Sequence, residues 1–80
     1  VIRLYVLNVP EFKPVIDEGS AVADHARVIG HYVEISSEGS LIIDRKKARA
    51  RRAVWFSAIG ALSNGKVTQF DSDQLHIQPE

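Results

Sequence analysis

Ser20-Ala21-Val22-Ala23-Asp24-His25-Ala26-Arg27-Val28-Ile29-Gly30 is the stretch on which the fold turns. Read as a helix from Ala21 to about Ile29, it opens on Ser20, a suitable N-cap, and stops at Gly30. Val22, Ala26 and Ile29 then fall on one side, and Asp24 and Arg27 form an i, i+3 pair. Read as a strand, His25 to Ile35 runs on in one piece, with Ile29, His31, Val33 and Ile35 inward. Gly30 would then mark a bulge. The helix is the preferred reading.

Upstream, Pro10 and Pro14 break regular structure, and Gly19-Ser20 is a turn signal. Residues 1–9, Val-Ile-Arg-Leu-Tyr-Val-Leu-Asn-Val, form the clearest strand. Ile2, Leu4 and Val6 share one face, and Arg3, Tyr5 and Leu7 share the other. Both faces are largely apolar, which suits a central strand. Downstream, His31–Ser36 and Leu41–Asp44 are β-like and read as a hairpin joined by Ser37-Glu38-Gly39-Ser40. Residues 45–62 make the best helix, with Asp44 as N-cap and Asn64-Gly65 as its terminator. Ala48, Trp55, Ile59 and Leu62 line its apolar stripe, flanked by Ala58 and Phe56. Lys66–Phe70 and Gln74–Gln78 are two further β-like stretches, a hairpin or one kinked strand.

The resulting order, β-α-β-β-α-β, is that of the ferredoxin-like split βαβ sandwich. The expectation is therefore one α+β domain over residues 1–80: a small antiparallel sheet with one or two helices on one face. The runner-up is an antiparallel sheet packed against the second helix alone.

Composition sets the outer bounds. Eighty residues, 45% hydrophobic and 25% charged, are one domain's worth of ordinary globular chain. A chain this short buries only a little over ~60% of its unfolded surface, which argues for reinforcement by good packing or self-association. With no cysteine there is no disulfide scaffold, thiolate nucleophile or Cys-based metal centre. No apolar stretch nears the ~18–20 residues of a membrane span. The first residues read as a strand rather than a leader, so a cytoplasmic address is expected. Loss of an initiator methionine before Val1, or trimming, would account for the lack of methionine.

The formal net charge of zero conceals a bipolar chain. Residues 1–40 hold three basic and six acidic residues, whereas residues 41–80 hold seven basic and four acidic ones. Six of the cations, Arg45, Lys46, Lys47, Arg49, Arg51 and Arg52, fall within eight residues that contain no acid. Placed at a helix start they oppose the helix dipole, at roughly 0.3–1 kcal/mol each. At 100° per residue Arg45, Arg49 and Arg52 form a stripe, but Lys46, Lys47 and Arg51 point elsewhere, so the cations encircle the helix. Three uses are open. The charges are solvated and pair with carboxylates of the same or a neighbouring chain. They receive an anionic ligand or an acidic partner surface. Or the helix lies along nucleic acid, a reading weakened by the sequence pI of 7.0.

Catalytic signatures are missing. His25, His31 and His76 are the candidates for general base work, yet their spacing carries no dyad or metal motif. There is no G-x-S-x-G, Walker A or dinucleotide fingerprint. Asp71-Ser72-Asp73 resembles the start of a calcium loop but lacks its glycine and distal glutamate. The expected function is a non-catalytic binding module without cofactor, a subunit of a larger protein assembly or a homo-oligomer. Its basic helix start would meet an acidic surface or anionic ligand, with Tyr5 and Leu7 as apolar contacts. Nucleic-acid binding through the same helix is the alternative, and a small enzyme with a site formed between subunits is the third.

Overall fold

A computed structural model describes residues 1–80. Strand β1 (Ile2–Leu7) follows the sequence pattern closely: Ile2, Leu4 and Val6 are fully buried, and Arg3, Tyr5 and Leu7 are half-buried on the other face. After a 3₁₀ turn at Pro10–Phe12 the chain enters helix α1 (Lys13–Val22). The two prolines start this segment rather than break it. Pro14 sits in the first turn of α1, where a missing amide hydrogen leaves no helical bond unmade. Val15 and Gly19, one helical turn apart, are its buried residues.

The helix expected over residues 21–29 is thus a correction: it ends at Val22, and His25–Ile29 is strand β2. Ser20 lies inside α1 instead of capping it, and Asp24 and Arg27 do not pair with each other. The single strand from His25 to Ile35 does not form either. Gly30, at φ +58°, turns the chain with His31 into strand β3 (Tyr32–Ser37). A left-handed residue in a two-residue loop suits a tight hairpin, and glycine adopts it without a Cβ clash. All five residues of β2 pair with β3, so tertiary pairing outweighs the segment's local helical signals.

A second correction concerns the next connection. β3 and strand β4 (Leu41–Asp44) do not form a hairpin; they belong to different sheets. Asp24 holds the exit from β3, its carboxylate accepting from the Glu38 amide at 2.8 Å and the Ser37 hydroxyl at 3.4 Å. The remaining elements are short helices α2 (Arg45–Ala48) and α3 (Arg52–Ser57), then strands β5 (Ile59–Ser63), β6 (Gly65–Phe70) and β7 (Gln74–Pro79). The single helix over 45–62 is therefore also corrected. Its middle is broken, and its last turns are a strand. Asn64, not Gly65, takes the positive φ, at +60°, in the turn from β5 to β6. β6 and β7 are a hairpin.

The protein is a small compact α+β structure with two antiparallel sheets. The four-stranded sheet runs β2-β3-β1-β5 and the three-stranded one β4-β7-β6. The core lies between them: Ile2, Leu4, Val6, Val33 and Ile35 from the first sheet, Leu41, Ile43, Leu75 and Ile77 from the second, and Trp55 from α3. Two close approaches seal it. A Cβ on Gly19 would lie 2.8 Å from Ile35 Cδ1 and 3.2 Å from Ile43 Cδ1, so α1 presses against both sheets. A Cβ on Gly65 would lie 2.7 Å from Ile77 Cγ2 and 3.3 Å from Ile2 Cγ2. No helix is long and apolar enough to cross a membrane.

Candidate functional site

The six cations occupy a broken segment, not a helix face. Asp44 caps α2 as its side chain suggests, accepting from the Lys47 amide at 3.0 Å. Its carboxyl is held below the ordinary range, chiefly by that hydrogen bond. The helix stops after one turn, at Arg49, which sits in the left-handed region at φ +61°. Ala50 then turns into the core and Arg51 restarts the chain as the N-cap of α3, with no side-chain hydrogen bond. Like charges beside the helix N-terminus weaken it, and tertiary contacts hold the break: Ala50 is buried in the core and its carbonyl accepts from Arg45 Nη1.

Arg45 is half-buried and turns part of its guanidinium inward. Its Nε donates to the Ser72 carbonyl and its Nη1 to the Ala50 carbonyl at 3.1 Å, while its amide donates to the Asp73 carbonyl at 2.9 Å. It ties the break in the helix to the β6–β7 turn. Lys47 and Arg49 line a cleft of about 540 Å³ together with Lys13, Asp17 and Glu18 of α1. Signs are mixed there, and the ion pair it contains is Lys13–Asp17 at 3.5 Å. Lys46, Arg51 and Arg52 are exposed without a carboxylate within salt-bridge distance.

Beside Arg52 the aromatics depart from expectation. Trp55 is buried, its Nε1 donating to the Asp71 carbonyl at 2.6 Å. Phe56, expected against the core, is 49% exposed and packs on Phe70, itself 37% exposed, with ring centroids 5.3 Å apart. Arg52 and Phe56 are one helical turn apart on α3, so they share a face. Sequence reasoning missed this pair, because Phe70 reaches Phe56 only through the β6–β7 hairpin. Asp71 is a turn residue, accepting from the amides of Asp73 and Gln74, both at 2.9 Å. Those bonds hold its carboxyl below the usual range.

Tyr5 and Leu7 lie on the outward face of the four-stranded sheet, opposite Glu34 and Tyr32 of β3. Tyr5 is not simply an apolar contact. Its hydroxyl donates to Glu34 Oε2 at 2.8 Å, and Arg27 Nε donates to Glu34 Oε1 at 3.0 Å. Glu34 is only 5% exposed although it faces outward, because these neighbours close over it. The Tyr5 hydrogen bond above all, with Arg27 adding to it, holds the Glu34 carboxyl below its usual range. The same bond raises the Tyr5 phenol. Alternation in β3 places Tyr32, Glu34 and Ser36 together, but only strand register brings Tyr5 and Arg27 to Glu34.

His25 lies on β2, His31 in the hairpin turn and His76 on β7, on separate elements. No group of three or more His, Asp or Glu side chains is positioned to hold a metal ion. The site is thus an exposed basic segment beside an aromatic pair, with a separate polar network on the open sheet face. Set against protein-family models and curated proteins, the chain matches none of them.

Proposed function

We propose that this chain is a non-catalytic binding module, working in the cytoplasm as a subunit of a larger protein assembly or as a homo-oligomer. Lys46, Arg51 and Arg52, with Lys47 and Arg49 at the margin, meet an acidic surface of the partner. The observation that carries this reading is the pairing of unneutralised cations with exposed apolar area. Lys46, Arg51 and Arg52 lack ion-pair partners, and the Phe56–Phe70 pair lies beside Arg52. Exposed aromatic anchors next to arginines are the composition of protein-binding hot spots. Arg45 stands at the edge of this contact because its Nε and Nη1 already donate to the Ser72 and Ala50 carbonyls.

The same aromatic pair favours a second reading. Exposed rings beside arginine also make a stacking platform for single-stranded nucleic acid. The zero net charge weighs against it. We further propose that the four-stranded sheet with its crossovers is a ferredoxin-like unit. In support, β1, α1, β2 and β3 follow the β-α-β-β order, β1 and β3 are central, and β5 returns beside β1. The second crossover carries β4 and two short helices in place of one.

Native mass spectrometry of the protein from its own source at low salt tests the function. A discrete oligomer or a complex with a larger protein, lost on Arg51→Glu with Arg52→Glu, is the expected result. A monomer carrying nucleic acid that falls away as salt rises would replace it with the second reading. A bare monomer would overturn both.

A further inference from the structure

The outward face of the four-stranded sheet is graded from one end to the other. Cross-strand register sets Ile29, Tyr32 and Leu7 in one row, Arg27, Glu34 and Tyr5 in the next, and His25, Ser36 and Arg3 in the third. Rows two residues apart along a strand are separated by about 7 Å, and neighbouring strands by about 4.8 Å. α1 packs on the opposite face, against Ile35, so it does not cover these rows.

The third row forms a depression. Ser36 is small and central, and it is flanked by the long side chain of Arg3 on β1 and by His25 on β2. With Arg27, Glu34, Ala26 and Val1 they line a cleft of about 420 Å³. Its charges are unbalanced. Glu34 is the one carboxylate in the lining, and it is already bonded by Tyr5 and by Arg27 Nε. Arg3 has no carboxylate within salt-bridge distance, and the terminal nitrogens of Arg27 make no hydrogen bond. Glu34 also fixes the direction of Arg27, which limits the entropy that its guanidinium loses on taking a ligand.

We propose that this cleft binds a small anion of the carboxylate or phosphate class. The ligand oxygens sit over Ser36, accepting from the Arg3 and Arg27 guanidinium groups and from the Ser36 hydroxyl, with His25 at the rim. Planar guanidinium forks match both carboxylate and phosphate oxygens. A phosphate or carboxylate of a larger molecule would be read through the same groups. An apolar body on that molecule would extend past Tyr5 toward Leu7 and Tyr32.

The test is a titration of the ¹⁵N-labelled protein with inorganic phosphate and, separately, with acetate and benzoate, followed by amide shifts. Saturable shifts at residues 3, 25–27, 34 and 36 are expected, with benzoate also moving residues 5, 7 and 32. Arg3→Gln should weaken phosphate binding at least tenfold. Glu34→Gln keeps an oxygen to accept from Arg27 Nε, and so keeps the direction of Arg27. By removing the local negative charge it should tighten binding severalfold, a change opposite in sign to that from structural damage. Arg51→Glu with Arg52→Glu should leave it unchanged, which separates this site from the partner surface. Shifts confined to residues 46–52, shifts that never saturate, or an Arg3→Gln variant binding as tightly as the parent would each overturn the proposal. Shifts with phosphate alone mean a phosphate-type ligand, and with both carboxylates alone a carboxylate-type one.

Discussion

Tyr5 and Glu34 stand opposite each other across the β1–β3 ladder, joined by a 2.8 Å hydrogen bond from the phenol to the carboxylate. The two groups shift each other in opposite directions: the carboxyl is held low and the phenol high. Each shift is a statement about stability. A carboxyl lowered on folding contributes above its unfolded value, 4.5 for a glutamate, and loses that contribution as pH falls through the folded value. A phenol raised on folding contributes below about 10 and loses it as pH rises through the folded value. Tyr5→Phe should therefore lower the urea midpoint by roughly 0.5–1 M at neutral pH. The gap between the two proteins should be widest between about pH 5 and 9.5 and narrow at both ends. Urea unfolding across that range checks it. A gap that stays constant down to pH 3 would remove Glu34 from the explanation.

Gly65 and Gly39 make a matched pair of substitutions. An alanine Cβ at 65 would lie 2.7 Å from the Cγ2 of Ile77, a methyl on a fully buried β-branched side chain. Stiffness at χ1 prevents that methyl from swinging aside. Gly65→Ala should cost about 1–3 kcal/mol by overpacking. At Gly39 nothing lies within 4 Å of the added carbon. Gly39→Ala should be neutral within about 0.5 kcal/mol, by chemical denaturation.

The basic segment should divide cleanly on truncation. Arg45→Ala leaves the Ser72 and Ala50 carbonyls without their donor. A loss of about 1.5–3 kcal/mol is expected for charge-assisted bonds of this kind. Arg51→Ala and Arg52→Ala remove exposed, unpaired side chains and should change stability by less than about 0.5 kcal/mol. Thermal and urea unfolding of the three variants would show the division, and equal losses at all three would contradict it.

Trp55, the one tryptophan, is buried against Phe70 and donates to the Asp71 carbonyl. Its fluorescence should be blue-shifted in the folded protein and should red-shift on unfolding. Trp55→Phe retains much of the apolar burial but abandons the Asp71 carbonyl. A loss of about 2–4 kcal/mol follows from the missing bond and the residual cavity. Trp55→Ala, which also loses the ring packing, should cost more.

Local signals were sufficient wherever a segment's own pattern matched its environment. The alternation of β1 and the cap at Asp44 were legible, because each depends on residues close in the chain. For residues 66–78 the pattern left a hairpin and one kinked strand open, and the β6–β7 pairing is the hairpin. Residues 20–30 were misread because their helical and extended signals are nearly balanced. Five ladder pairs with β3, together with a helix already completed at Val22, decide the matter. Residues 45–62 were misread because an alanine-rich pattern favours helix whatever lies beside it. The left-handed turn at Arg49 and the pairing of Ile59–Ser63 with β1 belong to the tertiary structure.

The candidate sites divide in the same way. Six clustered cations are visible in the sequence, but which of them are free is not. Arg45 is engaged by Ser72, a residue 27 positions away. Glu34 stands between two apolar residues of one strand, and nothing local shows that Tyr5 and Arg27 close over it. Sequence by itself determined a single α+β chain with strong β1 periodicity, no cysteine chemistry and a concentrated positive charge. The tertiary structure alone decided that the strands form two sheets, that the basic helix breaks, and that Arg3, Arg27 and His25 meet around Ser36. The physical reason is that periodicity and capping act over a few residues, whereas sheet register joins residues whose separation in the chain carries no local signal.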